Sequence, residues 1–400
     1  MKSNNSQSRK SFYDVIIVGG GIMGSSIAYF LANNKNFKGS ILVIEKSPAH
    51  FESSTALSVG GIRQQFSTPE NIEISRFGAS FIKDAAQYLT VDGDVPYLPF
   101  VENGYLFLAT KKGEKTLKEN YLLQKKHAVD VEYLSPQKLK IKFPWLNVDD
   151  LSSGCFGMKN EGWTDPYALL KAFIRKSKSI GVTFLKNEVI SIKHNSKKIN
   201  TVELDSGMKY SCGTLINAAG PRAAEISAMI DIKLPVRSKK RYVYTFVCKD
   251  IIENCPFVID PTGVYFRPEG NKYLCGVSPP EDNDPDTYDL DVKYYLFDEI
   301  IWPVLASRVD YFEAIRRDHS WAGHYAYNTF DQNAILGFHP EIKNFIFANG
   351  FSGHGLQQAP AVGRAISELI IYGSYQSLDL SKLNYERIKT GKPVKERNIV

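Results

Sequence analysis

The chain has 400 residues, 43% apolar and 23% charged, which is long enough for two packed domains and too apolar for a disordered chain. The net charge is +6 and the lysines cluster only as doublets (Lys111–Lys112, Lys125–Lys126, Lys197–Lys198, Lys239–Lys240), the pattern of a solvated surface rather than a nucleic-acid footprint. The five cysteines, Cys155, Cys212, Cys248, Cys255 and Cys275, are odd in number and form no C-x-x-C pair, which argues against a disulfide framework or a metal site and for reduced thiols.

The first ten residues, Met1–Lys10, are polar and lack an apolar core, so they read as a frayed start rather than a secretion signal. No apolar run approaches the roughly 18 residues of a membrane span. Asp14–Val18 (DVIIV) reads as a buried parallel strand, Gly19–Gly24 as a tight turn, Ile22–Asn33 as a helix and Ser40–Glu45 as a second strand. Together they make one βαβ unit. A loop over Lys46–Gly61 leads to a helix from Pro69 to Leu89. Residues 96–157 change character, with scattered aromatics and a charged helix over Gly113–Ala128. Asp165–Gly181 is helical, and Asn187–Asn217 reads as three short strands turning at His194–Lys198 and Asp205–Gly207. Residues 235–328 are strand-rich and aromatic. Phe345–Asn349 is a strand, Gly350–Gly355 a Gly-rich turn and Pro360–Tyr372 a helix. The expected architecture is α/β. A discontinuous dinucleotide domain (12–95, 158–232, 329–390) surrounds a mixed-sheet substrate domain (96–157, 233–328).

The strongest local signal is Gly19-x-Gly21-x-x-Gly24 between strand and helix. Gly19 permits the turn, Gly21 lets backbone approach a pyrophosphate, and Gly24 lets the helix pack on the strand. Ile22 and Met23 then present helix N-terminal N–H groups to the phosphates. Glu45, 21 residues after Gly24, is placed to accept from a ribose diol, with Lys46 beside it. The motif alone does not separate FAD from NAD. A second strand–helix turn, Ser352-Gly353-His354-Gly355-Leu356-Gln357, suits an extended cofactor, because its helix dipole favours the negative charge of a reduced flavin. An ordinary turn remains the alternative there.

These segments, with Ser53–Arg63 (SSTALSVGGIR), Asn217–Pro221 (NAAGP) and Tyr265–Arg267 (YFR), make the chain similar to a family. It resembles the FAD-dependent amine and amino-acid oxidoreductases grouped with D-amino-acid oxidase, sarcosine oxidase and dimethylglycine dehydrogenase. The likeness runs from Tyr13 to about Ser377. Tyr327–Asn333 and Gly350–Pro360 are most like a branch linked to mitochondrial respiratory complex I assembly, and its bacterial relatives. The resemblance implies that Ser53, Ser54, Gly60 and Gly61 line the cofactor, that Val189 touches its adenine half, and that Ala219 and Gly220 let backbone pass close to it. It implies cations near flavin and substrate at Arg63 and Arg267.

Leu57 stands where some relatives attach FAD through a His, and His324 where sarcosine oxidases tether it through a Cys. FAD is therefore expected to be non-covalent, with His324 a pocket residue. Gln357 stands where sarcosine oxidases have a carboxylate-binding Lys, so carboxylate recognition relies on arginine or is weaker. The expected reaction is hydride transfer from the carbon beside an amine nitrogen of a small amine or amino acid, with Arg267, Arg63, His324 and Gln357 as candidate catalytic residues. The electron acceptor is oxygen or a redox carrier. The alternative role is complex I assembly with respiratory subunits as partners. The location implied is cytoplasmic in a bacterium, or otherwise the mitochondrial matrix.

Overall fold

The run Phe12–Val18 ends in four buried residues, as a strand covered on both faces should. In the computed structural model, which describes residues 11–195 and 197–397, it is the centre of a parallel sheet. Met1–Lys10 and Ser196 of the His194–Lys198 turn lie outside the described residues. Phe12–Val18 pairs with Lys209–Asn217 on one side and Ile41–Glu45 on the other. Phe345–Asn349 and Thr183–Lys186 extend the sheet outward in the same direction. Helices Ile22–Asn33, Pro166–Ser179 and Gly355–Tyr372 cover one face, with Ile27, Leu31, Phe173 and Ile366 in its core. The strands Val189–Asn195 and Lys198–Leu204 cover the other, around Ile192, Val202 and Phe345.

A second, mixed sheet has eight strands in the order Ile315–Asn328, Val236–Cys248, Lys272–Val277, Tyr265–Glu269, Phe257–Ile259, Tyr105–Ala109, Ser153–Gly157 and Val131–Leu134. Strands from both insertions thus share one sheet. The fold is a Rossmann-type α/β domain with a mixed-sheet partner. Among the described residues, no helix is long and apolar enough to cross a membrane.

Three elements differ from expectation. The Pro69–Leu89 helix breaks at Asp84 into Pro69–Lys83 and Ala85–Leu89. The last long helix starts at Gly355, five residues early, and takes Pro360 inside it. Contacts from the Ile22–Asn33 helix support that start: Ser26 Oγ donates to Ala359 O at 2.7 Å, and an added Cβ on Gly363 would lie 2.3 Å from Ser26 Oγ. Within 235–328, Leu296–Ile301 forms wide i→i+5 turns that run into the helix Trp302–Arg308. Leu296, Phe297, Ile301 and Leu305 bury one side there, a helical spacing masked by the surrounding aromatics.

Candidate active site

A cavity of about 500 Å³ lies at the C-terminal ends of the parallel strands and extends beneath the mixed sheet. Such strand ends are where open α/β sheets place their ligands. The turn into the first helix explains its shape. Gly19 has φ +102°, and a Cβ there would sit 2.4 Å from Ala218 O; a Cβ on Gly24 would sit 1.9 Å from Gly19 O. Both positions require glycine for packing. Gly21 differs: its φ is −63°, and a Cβ would meet only Thr55 Oγ1, at 3.5 Å. The space beside it belongs to the cavity, which Gly21, Ile22 and Met23 line. Thr55 Oγ1 accepts from Ile22 N at 3.2 Å, an organising contact the sequence reading missed.

Glu45 accepts from Gly20 N through one carboxylate oxygen and from Ser47 N through the other, each at 2.8 Å. This fixes the carboxylate beside the cavity with lone pairs left for a ribose diol. Glu45, Lys46 and Val189 line that end, and Ser53, Gly61, Ala219 and Gly220 line the middle. Ser54 also lines it, and its hydroxyl is buried with no hydrogen-bond partner among the described residues. A buried orphan hydroxyl beside a glycine cradle and a helix N-terminus fits a phosphate-bearing dinucleotide.

At the other end sits Arg63, 6% exposed. Its guanidinium donates to Gln65 O and approaches His354 Nε2 at 3.1 Å. It lies over the Phe66 ring at 4.0 Å. Arginine cannot accept, so Nε2 accepts and the ring proton is on Nδ1. Burial, with Arg63 adding to it, pushes the His354 pKa down to about 3, so the imidazole is neutral. No carboxylate forms an ion pair with Arg63 among the described residues. The N-terminus of the Gly355–Tyr372 helix opens here, and Ser352, Gly353, Gly355 and Leu356 line the wall.

His324 also lines the cavity, and its Nε2 lies 2.8 Å from Asp289 O. Burial is the main cause lowering its pKa. Arg241, which the sequence reading passed over beside a lysine doublet, lines the cavity but is neutralised by Asp284 through two 3.0 Å contacts. Tyr105, Tyr265 and Tyr325 complete the wall, and burial raises all three hydroxyls above the usual phenol range. Glu161 was also missed. It is fully buried just behind this wall, and burial pushes its pKa up to about 7.

Three expected site residues play other parts. Gly60 lies outside the lining; a Cβ there would meet Thr164 O at 2.2 Å, so it serves a close backbone crossing. Gln357 reaches the wall, but its side-chain oxygen accepts from Arg63 N at 2.7 Å and so cannot replace a carboxylate-binding lysine. Arg267 is outside the lining altogether. Its guanidinium donates to Val59 O at 3.1 and 2.7 Å and to Pro268 O at 2.7 Å, pairs with Glu269, and lies over Trp163. Arg267 shares a strand face with Tyr265, but these contacts hold its guanidinium outside the cavity that Tyr265 lines. Arg267→Met should therefore lower stability by about 1–3 kcal/mol, the usual cost of stranding buried acceptors. Thermal melts should show this loss, while the flavin-reduction rate of the folded protein stays unchanged.

A glycine cradle at one end and a desolvated guanidinium beside a helix N-terminus at the other define the class: a dinucleotide-binding protein. Comparison with known proteins narrows it. Residues 14–369 match the family model DAO, FAD dependent oxidoreductase, and the chain belongs to that family. FAD is its cofactor. The chain is 41% identical over 422 residues to the FAD-dependent oxidoreductase domain-containing protein 1 of Xenopus laevis, which covers 97% of this chain and 85% of that protein. The crystal structure of L-proline dehydrogenase from P. horikoshii has a TM-score of 0.84 at 26% identity, covering 96% of this chain and 100% of that one. Glycine oxidase from Geobacillus kaustophilus shares the fold, with a TM-score of 0.79 at 21% identity over 94% of this chain and 98% of that one.

Proposed function

We propose that this protein oxidises the C–N bond of a small amine or amino acid. The observation that carries the reading is Arg63, a buried guanidinium at the far end of the cavity that has no ion-pair partner among the described residues. FAD supplies hydride acceptance when bound, held without a covalent bond because Leu57 lines the cavity where a His linkage would form and His324 Nε2 faces Asp289 O. Arg63 and the helix N-terminus stabilise negative charge that accumulates at this end and can hold a substrate carboxylate. The Arg63 guanidinium in a desolvated cavity disfavours an ammonium, so the substrate is held as the neutral amine that hydride loss requires. The tyrosine hydroxyls stay protonated and act as donors that orient it. Loss of hydride from the adjacent carbon leaves an iminium ion, which water hydrolyses to a carbonyl and an ammonium product. The related L-proline dehydrogenase and glycine oxidase support this substrate class.

The test is an anaerobic screen of small amines and amino acids that follows bleaching of the flavin absorbance. Bleaching by at least one secondary amine or amino acid is expected. Re-oxidation in air, against re-oxidation only by a carrier, then separates oxidase from dehydrogenase. The second role, suggested by the resemblance, is respiratory complex I assembly. A chain bleached by no amine but recovered in a stable complex with respiratory subunits would favour it.

A further inference from the structure

Arg63, Gln64 and Gln65 form a short segment fastened from two sides. From the cofactor domain, Gln357 Oε1 accepts from Arg63 N at 2.7 Å. From the opposite side, the Glu161 carboxylate accepts from Gln64 N at 2.5 Å and from Gln65 Nε2 at 2.7 Å. Gln65 links the two charges: its amide bonds Glu161, and its carbonyl accepts from the Arg63 guanidinium. Glu161 is 0% exposed, lies outside the cavity lining and forms no ion pair among the described residues. Keeping a buried carboxylate on this segment is costly unless it serves the site.

We propose that Glu161 is a positioning residue for Arg63: it clamps the Gln64–Gln65 segment that aims the guanidinium into the cavity, and its own charge sets how much of the guanidinium's positive charge an anionic ligand meets. The proposal rests on the reading of Arg63 as the anion-facing group of the site. When Glu161 is ionised, it offsets Arg63; when it is protonated, the full cation faces the cavity. Burial places that change near pH 7. Four of the groups facing the pair keep one protonation state across this range. Tyr105 and Cys155, on the adjacent strands, are held protonated by burial. Lys125 acts on Cys155 from the helix beyond. His354 is neutral, and Tyr325 is held protonated. Glu396 faces Arg63 from the C-terminal segment, where it accepts hydrogen bonds from Ser67, Thr68 and Asn71.

The experiment measures benzoate binding to the FAD-loaded protein, through flavin absorbance, from about pH 5.5 to pH 8.5. In the wild type, Kd should be low at acid pH and rise as pH passes about 7, by about tenfold for each pH unit that benzoate raises the Glu161 pKa. Glu161→Gln keeps an acceptor for Gln64 and removes the charge. Its Kd should stay at the acid-limit value throughout. An inflection that persists in Glu161→Gln overturns the proposal. A second measurement needs neither benzoate nor that variant. The infrared band of a protonated buried carboxyl should titrate near neutral pH in wild type, and its midpoint should rise in Arg63→Met, which removes the neighbouring cation. No shift there also overturns the proposal. If benzoate fails to bind while the band shifts, the anion-site reading of Arg63 fails and the Glu161–Arg63 coupling stands.

Discussion

Gly21→Ala should give a folded protein without flavin. The backbone at Gly21 is open to any residue, with φ −63°, and an added Cβ meets no protein atom closer than Thr55 Oγ1 at 3.5 Å. The apoprotein therefore loses nothing. The methyl instead occupies cavity space beside the first helix turn, where backbone N–H groups meet the pyrophosphate. Losing two charge-assisted hydrogen bonds, at about 1.5–3 kcal/mol each, weakens FAD binding by roughly 10²–10⁴. Flavin absorbance per mole of protein should fall nearly to zero while the circular dichroism spectrum stays that of a folded protein. Gly24→Ala is the control with the opposite signature. Its Cβ would lie 1.9 Å from Gly19 O and 3.2 Å from Ile17, so helix and strand must part and the fold itself suffers. A yellow Gly21→Ala protein with wild-type flavin content would refute the cradle.

The contrast between those two glycines also shows what the sequence could yield. Strand, turn and helix over Phe12–Asn33 were legible because each signal is local: an apolar run, three spaced glycines, then a helical pattern. The strands between Val189 and Asn217 were legible for the same reason, through the turn residues Asp205–Gly207. The reactive end was less so, because its partners lie far apart in the chain. Asp284 neutralises Arg241 from 43 residues away, and Glu161 reaches Gln64 across 97. No local pattern marks either pair. Arg267 shows the converse: a guanidinium in an aromatic strand reads as functional, but Val59 O, Pro268 O and Glu269 occupy it beside Trp163. The identity of the cation at the site thus depended on which arginine tertiary structure leaves unpaired.

That arginine is Arg63, and Arg63→Met should produce the largest kinetic loss at the reactive end. Met keeps an apolar stem against Phe66 and Phe107, where the guanidinium now lies 4.0 and 5.3 Å from the ring centroids. It removes the cation and the donors to Gln65 O and His354 Nε2. FAD should still bind, because Gly21, Glu45 and Ser54 lie at other parts of the cavity. Removing one preorganised donor to developing charge typically lowers a rate by roughly 10²–10³. Rapid-mixing reduction separates the roles. If Arg63 stabilises charge arising in hydride transfer, the limiting reduction rate falls for every substrate. If it only holds a carboxylate, affinity falls for amino acids, while a simple amine reacts at the wild-type rate. His354 gives an independent sign. With Arg63 gone, one cause holding its pKa near 3 disappears, so the imidazole should become easier to protonate, limited then by burial alone. A new acid-side inflection in the reduction rate of Arg63→Met would report it. Unchanged reduction kinetics with both substrate types would remove Arg63 from the reaction and, with it, the observation on which C–N oxidation by this protein rests.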